Sequence, residues 1–105
     1  MITFNEALNI VMKKYSNFLI RLGFEFEENF YFHVSPGKKN IIKHDAAAFF
    51  VIVDKNTKAI TFMGSGDIIP LRLSDPDRLD KLLETFRSKY SLIDIDEKQY
   101  DYLYR

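Results

Sequence analysis

The glycine-rich segment Gly64-Ser65-Gly66 is the first candidate for chemistry in this chain. A phosphate-binding loop needs either a longer spacing that ends in Gly-Lys-Ser/Thr, or G-x-G-x-x-G between a strand and a helix. Neither spacing is present, no helix is expected to start here, and the following Asp67 carboxylate would repel a phosphate. Because glycine and serine favour turns, the segment predicts the exit of a hairpin.

The histidines His33 and His44 are the next candidates, for catalysis or metal binding. A metal site needs several ligands at close spacing, which two separated histidines do not supply. The chain has no cysteine, so we expect no metal and no cofactor. Asp45 follows His44, and the two could act in general acid–base catalysis, which would make the chain a small hydrolase. Because neighbouring residues on a strand point to opposite faces, we favour structural roles and expect no enzyme.

Acidic side chains form two groups, one at Glu25, Glu27 and Glu28 and one in a tyrosine-rich tail at residues 91–105. Such groups can cleave glycosides or hold metals. They can also be solvated or select a basic protein partner. The tail tyrosines fit an interface or a core equally well. The predicted partner-binding residues are Glu25, Glu27, Asp94, Asp96, Glu97, Tyr100, Asp101, Tyr102 and Tyr104.

Length and charge restrict the class of protein. The 105 residues fit one domain, residues 1–105, and 15 basic residues balance 15 acidic ones. Nucleic-acid binders normally carry a basic excess, so we expect none as a partner. The N-terminus lacks a signal-peptide pattern, and the longest apolar run, Ala46 to Val53, is too short for a bilayer. We therefore expect a soluble cytoplasmic protein without a membrane partner.

Two helices are predicted from capping residues and periodicity. Thr3 and Glu6 match a capping box, and apolar residues then recur at helical spacing from Phe4 to Leu22. Gly23 is expected to end this helix in a left-handed conformation. Ser74-Asp75-Pro76-Asp77 predicts the start of a second helix that ends near Tyr90.

Strands are predicted between the helices. Residues 24–34 alternate as a strand with one buried face, broken at Glu28-Asn29 because an unpaired buried carboxylate would cost more. Residues 46–53 predict a central strand, residues 54–58 a hairpin loop, residues 59–63 the returning strand, and residues 67–73 a short edge strand. The predicted fold is α+β: an N-terminal helix packed on an antiparallel sheet of about four to five strands, with a second helix near the C-terminus.

The segments "MITFNEALNIVMKKY", "ENFYFHV", "AAAFFVIVDKNTKAITFMGSG" and "IIPL" resemble the immunity protein 35 family of bacterial toxin–immunity systems. The matching positions are Ile2-Thr3-Phe4, Phe30-Tyr31-Phe32, Val53-Asp54, Thr57, Ile60, Gly64 and Pro70. Two features depart from the family: Lys58 stands where it usually has glycine, and the chain continues beyond Pro70 with a helix and an acidic tail.

The resemblance implies a non-catalytic function, the binding and neutralisation of a cognate toxin in contact-dependent bacterial competition. The hairpin also looks like PepSY-type and cystatin-like domains. The alternative is therefore a general peptide- or protein-binding module that uses an exposed sheet edge. Homo-oligomerisation is left open.

Overall fold

The computed structural model describes residues 1–35 and 48–90. Its elements are α1 (Phe4–Lys14), β1 (Leu19–Phe26), β2 (Asn29–Ser35), β3 (Phe49–Asp54), β4 (Ile60–Met63), a 3-10 turn (Ser65–Asp67), α2 (Ile68–Ser74) and α3 (Pro76–Tyr90). The strands form one antiparallel sheet in the order β1-β2-β3-β4. The predicted α+β fold is confirmed, with four strands. His44, Asp45 and the tail lie outside the described residues.

Both faces of the sheet are covered, which corrects the prediction of a single buried face for residues 24–34. One apolar cluster joins α1 to the sheet through Val11, Phe32 and Val51. The other joins α2 and α3 to the opposite face through Leu71, Leu82 and Phe50. The first face is called the α1 face below, and the second the α3 face.

The turn between β1 and β2 explains why the alternation of apolar and polar residues over 24–34 does not indicate a single buried face. Phe24 lies opposite Tyr31, and Glu25 lies opposite Phe30. Residues that lie opposite each other share a face of the sheet. Even-numbered residues therefore point to the α3 face before the turn and to the α1 face after it. Tyr31, which the alternation over residues 24–34 places on the face opposite Phe30 and Phe32, is therefore also buried, with 2% of its surface exposed.

The predicted start of α1 is confirmed, but its predicted end is wrong. The Glu6 N–H donates to Thr3 Oγ1 (3.2 Å) and the Thr3 N–H donates to Glu6 Oε1 (3.3 Å), which is the capping box. The helix ends at Lys14, and residues 19–26 form β1. A strand buried on both faces has apolar residues at positions that also fit a helix. The register shift between Ile20 and Leu22 also interrupts the two-residue alternation that would identify a strand in the sequence.

Gly23 lies inside β1 and has no positive φ, so it is not a helix cap. A Cβ at this position would lie 2.7 Å from Phe4 Cζ and 2.8 Å from the Phe32 ring. The residue is glycine because two aromatic rings of the α1 face press against its backbone.

The predicted edge strand at residues 67–73 is also wrong, because Ile68–Ser74 is the helix α2. Pro70 is its third residue, where the backbone N–H would have no partner within the helix, so proline breaks no hydrogen bond there. A helix thus does follow the glycine-rich segment, contrary to expectation. The predicted start of the next helix is confirmed, since Asp75 Oδ1 accepts a hydrogen bond from the Arg78 N–H (3.3 Å).

The β3–β4 hairpin is confirmed, and Asp54 organises its turn. The Asp54 carboxylate accepts from the N–H groups of Asn56 (2.8 Å) and Thr57 (2.9 Å). The hydrogen bond from Thr57, followed by that from Asn56, holds the pKa of Asp54 below its usual range. A depressed pKa means that this stabilisation is present above the pKa of an unfolded aspartate. It is lost as the pH falls through the folded pKa.

We expect Gly23→Ala to lower the free energy of unfolding by about 1–3 kcal/mol, the usual cost of overpacking a filled core. Urea denaturation measures the change. Gly66→Ala is the matched control, since a Cβ at Gly66 meets nothing within 4 Å. Equal stability of the two variants would contradict the role given to Gly23.

Lys58 adopts a left-handed conformation with φ 64°. We expect Lys58→Gly to raise the free energy of unfolding by up to about 1 kcal/mol, because glycine avoids the Cβ clash but loses more backbone entropy. Thermal denaturation of Lys58→Gly and Lys58→Ala separates this effect from the loss of charge. A gain in the alanine variant as large as that in the glycine variant would refute the backbone explanation.

Candidate protein-binding surface

The two predicted partner-binding residues that the structure describes, Glu25 and Glu27, lie beside and in the turn between β1 and β2. Glu27 and Glu28 form the turn, with Glu27 at φ 53°, so the turn begins one residue before the predicted break at Glu28-Asn29. Glu25 lies one residue before the end of β1. We call the end of the sheet that carries Glu25, Glu27 and Glu28 the acidic hairpin end.

Lys55 anchors the turn on the α1 face. It is buried, its ammonium forms an ion pair with the Glu25 carboxylate, and it donates to the Glu27 carbonyl oxygen (2.8 Å). The ammonium also lies 5.3 Å from the centroid of the Phe30 ring, within range of a cation–π attraction. Because a buried ammonium must be paired, these contacts hold Glu25 in a defined position.

The backbone of Lys55 ties three parts of the chain together. Its N–H donates to the Glu28 carbonyl (3.0 Å), and its own carbonyl accepts from the Ile2 N–H (2.9 Å). The β1–β2 turn, the β3–β4 turn and the N-terminus therefore meet at one residue.

Arg78, in the first turns of α3, anchors the same turn from the α3 face. Its Nε donates to Glu27 Oε1 (2.5 Å), and its guanidinium lies 5.8 Å from the Phe26 ring centroid. The hydrogen bond to Glu27 raises the pKa of Arg78 above its ordinary value. The Tyr31 hydroxyl lies 3.5 Å from Arg78 Nη2, and burial raises the pKa of this tyrosine.

Glu25 and Glu27 thus lie at the same end of the sheet, and each is already paired with a cation of its own chain. Both side chains keep much of their exposure, 62% for Glu25 and 50% for Glu27. Their outer surfaces remain available to a second molecule. The role of these residues in partner binding stays a prediction, and the other seven predicted residues lie in the tail, outside the described part.

An open cleft of about 360 Å³ lies beside the turn and is lined by Phe26, Glu27, Asp75, Asp77, Arg78 and Lys81. Sequence reasoning missed these neighbours. In the sequence, Asp75 and Asp77 indicate only the start of a helix, and Lys55 indicates only a loop. No local signal reveals that residues some 30 or 50 positions apart converge on one turn.

A second surface of different character lies at the opposite edge of the sheet. Phe62 on β4 is 69% exposed. It lines an open groove of about 350 Å³ with Tyr15, Phe49 and Gly64. The Phe49 and Phe62 ring centroids are 6.4 Å apart in a T-shaped contact. Phe62 shares the α1 face with Ile60, and it is exposed because β4 is the edge strand of the sheet.

His33 and the glycine-rich segment, the described candidates for catalysis and phosphate binding, make contacts that are typical of structural residues. His33 lies between Phe50 and Phe86, with ring centroids 5.2 Å and 5.0 Å away. The Gly64 N–H donates to the Asp67 carboxylate (2.8 Å), where a phosphate would have to bind. Within residues 1–35 and 48–90, no three potential metal ligands come together. None of the helices in these ranges has the length and apolar character needed to cross a bilayer.

No family model, no curated protein and no solved structure matches this chain.

We expect Lys55→Met, which keeps the apolar stem but removes the charge, to lower the free energy of unfolding by about 1–3 kcal/mol. The reason is that the Glu27 carbonyl and the Glu25 carboxylate lose their common donor. Chemical denaturation measures the loss.

Arg72→Met is the matched control for Lys55→Met. Arg72 pairs with Asp80 at 3.5 Å, and both side chains are more than half exposed. Its removal should change stability by no more than about 0.5 kcal/mol. A loss in Lys55→Met as small as in this control would show that Lys55 does not anchor the turn.

Proposed function

We propose that this chain is a small cytoplasmic immunity protein that binds and neutralises a cognate bacterial toxin domain without catalysing a reaction. The observation that supports the proposal most is the acidic hairpin end, where two cations hold Glu25 and Glu27 in place and leave their outer surfaces exposed. Preorganised side chains lose little conformational entropy when a partner binds.

The charge of this end favours a basic partner. Carboxylates of Glu25, Glu27, Glu28, Asp75 and Asp77 surround the turn and its cleft. In the lining of the cleft, the three carboxylates of Glu27, Asp75 and Asp77 outnumber the two cations, Arg78 and Lys81. An excess of exposed carboxylates attracts a basic protein surface, raises the association rate and selects against acidic partners.

Phe26 supplies an apolar element within this charged rim. It is half-buried, lines the cleft, and contacts Tyr31 at a ring-centroid distance of 5.9 Å. Binding energy in protein complexes is concentrated in a few apolar or aromatic anchors surrounded by polar contacts. A partner side chain that enters the cleft could therefore contact Phe26 and the surrounding carboxylates together.

The conformation of Lys58 supports the family resemblance on which the proposal rests. The residue has a positive φ of 64°, a conformation that glycine adopts without steric cost. Members of the resembled family usually have glycine at this place, so the departure changes the side chain but is compatible with the same turn.

Co-expression with the product of the adjacent gene tests the function. We expect that product to stop bacterial growth when expressed alone, and this chain to restore growth and to co-purify with it. If the adjacent gene encodes no growth-arresting protein and no co-expressed protein is bound, the proposal fails.

Charge reversal at Glu28 tests the surface. Glu28 is exposed and forms no ion pair with another described residue, so Glu28→Lys should leave the fold intact. We expect association with the toxin to slow by about three- to ten-fold and to lose part of its salt dependence. Glu84→Lys, an exposed acidic residue further along α3, is the matched control.

Deleting residues 91–105 separately tests the tail, and unchanged affinity would exclude it from the contact surface. If neither Glu28→Lys nor this deletion weakens binding, the toxin uses another surface of the chain.

A further inference from the structure

The strand β4 is an edge strand of the sheet, and no described strand pairs with its outer side. In residues 1–35 and 48–90 its one neighbouring strand is β3. Its sequence, Ile60-Thr61-Phe62-Met63, contains no charge and no proline. Proteins usually protect a free sheet edge with charged residues or proline. An edge strand that has neither marks a place where another strand can add.

The register of the hairpin shows which backbone groups face outward. The Asp54 N–H donates to the Ala59 carbonyl (3.0 Å), so these residues form a hydrogen-bonded pair. Hydrogen-bonded and non-hydrogen-bonded pairs alternate along an antiparallel ladder. Thr61 and Met63 therefore bond to β3, whereas Ile60 and Phe62, opposite Val53 and Val51, direct their N–H and C=O groups away from it.

We propose that β4 pairs antiparallel with β4 of a second copy of this chain, around a two-fold axis at Thr61. In this register Ile60 lies opposite Phe62 of the second copy, and Phe62 lies opposite its Ile60. Each pair exchanges two hydrogen bonds, so every outward N–H and C=O of both residues is satisfied. The two four-stranded sheets join into one continuous sheet.

The side chains in this register are complementary. Phe62 packs against Ile60 of the second copy on the α1 face, an aromatic–β-branched pair that stabilises antiparallel strands. On the α3 face the two Thr61 side chains lie directly opposite each other, and their hydroxyls can form a hydrogen bond.

The paired strands are also electrically compatible. Residues Ile60–Met63 carry no charge, so pairing two copies of β4 brings no like charges face to face.

The helices that pack on the far half of the sheet leave space for this contact. The main packing of α1 is on β1 and β2, and that of α3 is on β1. The α1 face beside β4 is instead the groove lined by Tyr15, Phe49 and Phe62. The contact is short, so we expect a weak, concentration-dependent dimer.

A single cysteine at position 61 tests the register. Residues opposite each other in a non-hydrogen-bonded pair have Cα atoms about 4.5 Å apart, within the range that a disulfide spans. The chain has no cysteine of its own. We expect Thr61→Cys to form a disulfide dimer at least ten-fold faster than Asn56→Cys. Asn56 is exposed but lies five residues from the axis.

Sedimentation equilibrium tests the surface without covalent chemistry. We expect Phe62→Asp to raise the dimer dissociation constant by at least ten-fold, with an unchanged circular dichroism spectrum. Leu73→Asp is the matched control, because Leu73 is an apolar residue that is 82% exposed and lies on α2 and not on the pairing strand. It should leave the dissociation constant within about two-fold of the wild-type value.

A monomer at all concentrations, or equal cross-linking of the two cysteine variants, would overturn the proposal. Binding of extended peptides to a monomer, with loss of binding in Phe62→Asp, would assign the edge to strand addition by another protein and would also overturn it. None of these measurements involves the toxin, so their outcome is independent of the proposed function.

Discussion

Aromatic side chains that project from both faces of a four-stranded sheet impose the main constraint on this structure. Phe32 lies on the α1 face, and Phe24 stacks on Tyr31 at 5.4 Å on the α3 face. Neither face can remain in water at this density of aromatic surface, since each buried ring contributes on the order of 2 kcal/mol. Helix α1 therefore covers one face, and α2 and α3 together cover the other. Three features follow from the need to cover both faces of the sheet: α1 ends early, β1 is buried on both faces, and α2 is a helix.

Covering both faces brings cations from two layers to one turn. Lys55 approaches Glu25 from the α1 face, and Arg78 approaches Glu27 from the α3 face. A turn held from both sides has little freedom to rearrange, although it consists of charged residues. The same ion pairs that stabilise the hairpin therefore determine how carboxylates are presented to a partner. Stability and the proposed toxin recognition depend on the same side chains, which is why Glu28 is the better place to probe recognition alone.

The two edges of the sheet differ in chemistry. β1 is long, contains Arg21 and Glu25, and packs against α3. β4 has four neutral residues and carries the exposed Phe62. The acidic hairpin end suits a charged partner, whereas the β4 edge suits a neutral strand. Because β1 and β4 are the two edge strands of the sheet, the proposed toxin contact and the proposed dimer contact use different strands.

The amino-acid sequence by itself determined the features that depend on local chemistry. The capping box at Thr3 and Glu6, the Asp75-Pro76 helix start and the β3–β4 turn follow from side chains that bond to backbone groups a few residues away. The carboxylates of the acidic hairpin end could likewise be identified as candidates. Only the tertiary structure decided where a periodic pattern is helix or strand. A strand buried on both faces and a helix can place apolar residues at the same positions, as residues 19–26 do. Tertiary structure alone also paired Glu25 with Lys55 and Glu27 with Arg78, because such ion pairs depend on the approach of distant segments and leave no local signal.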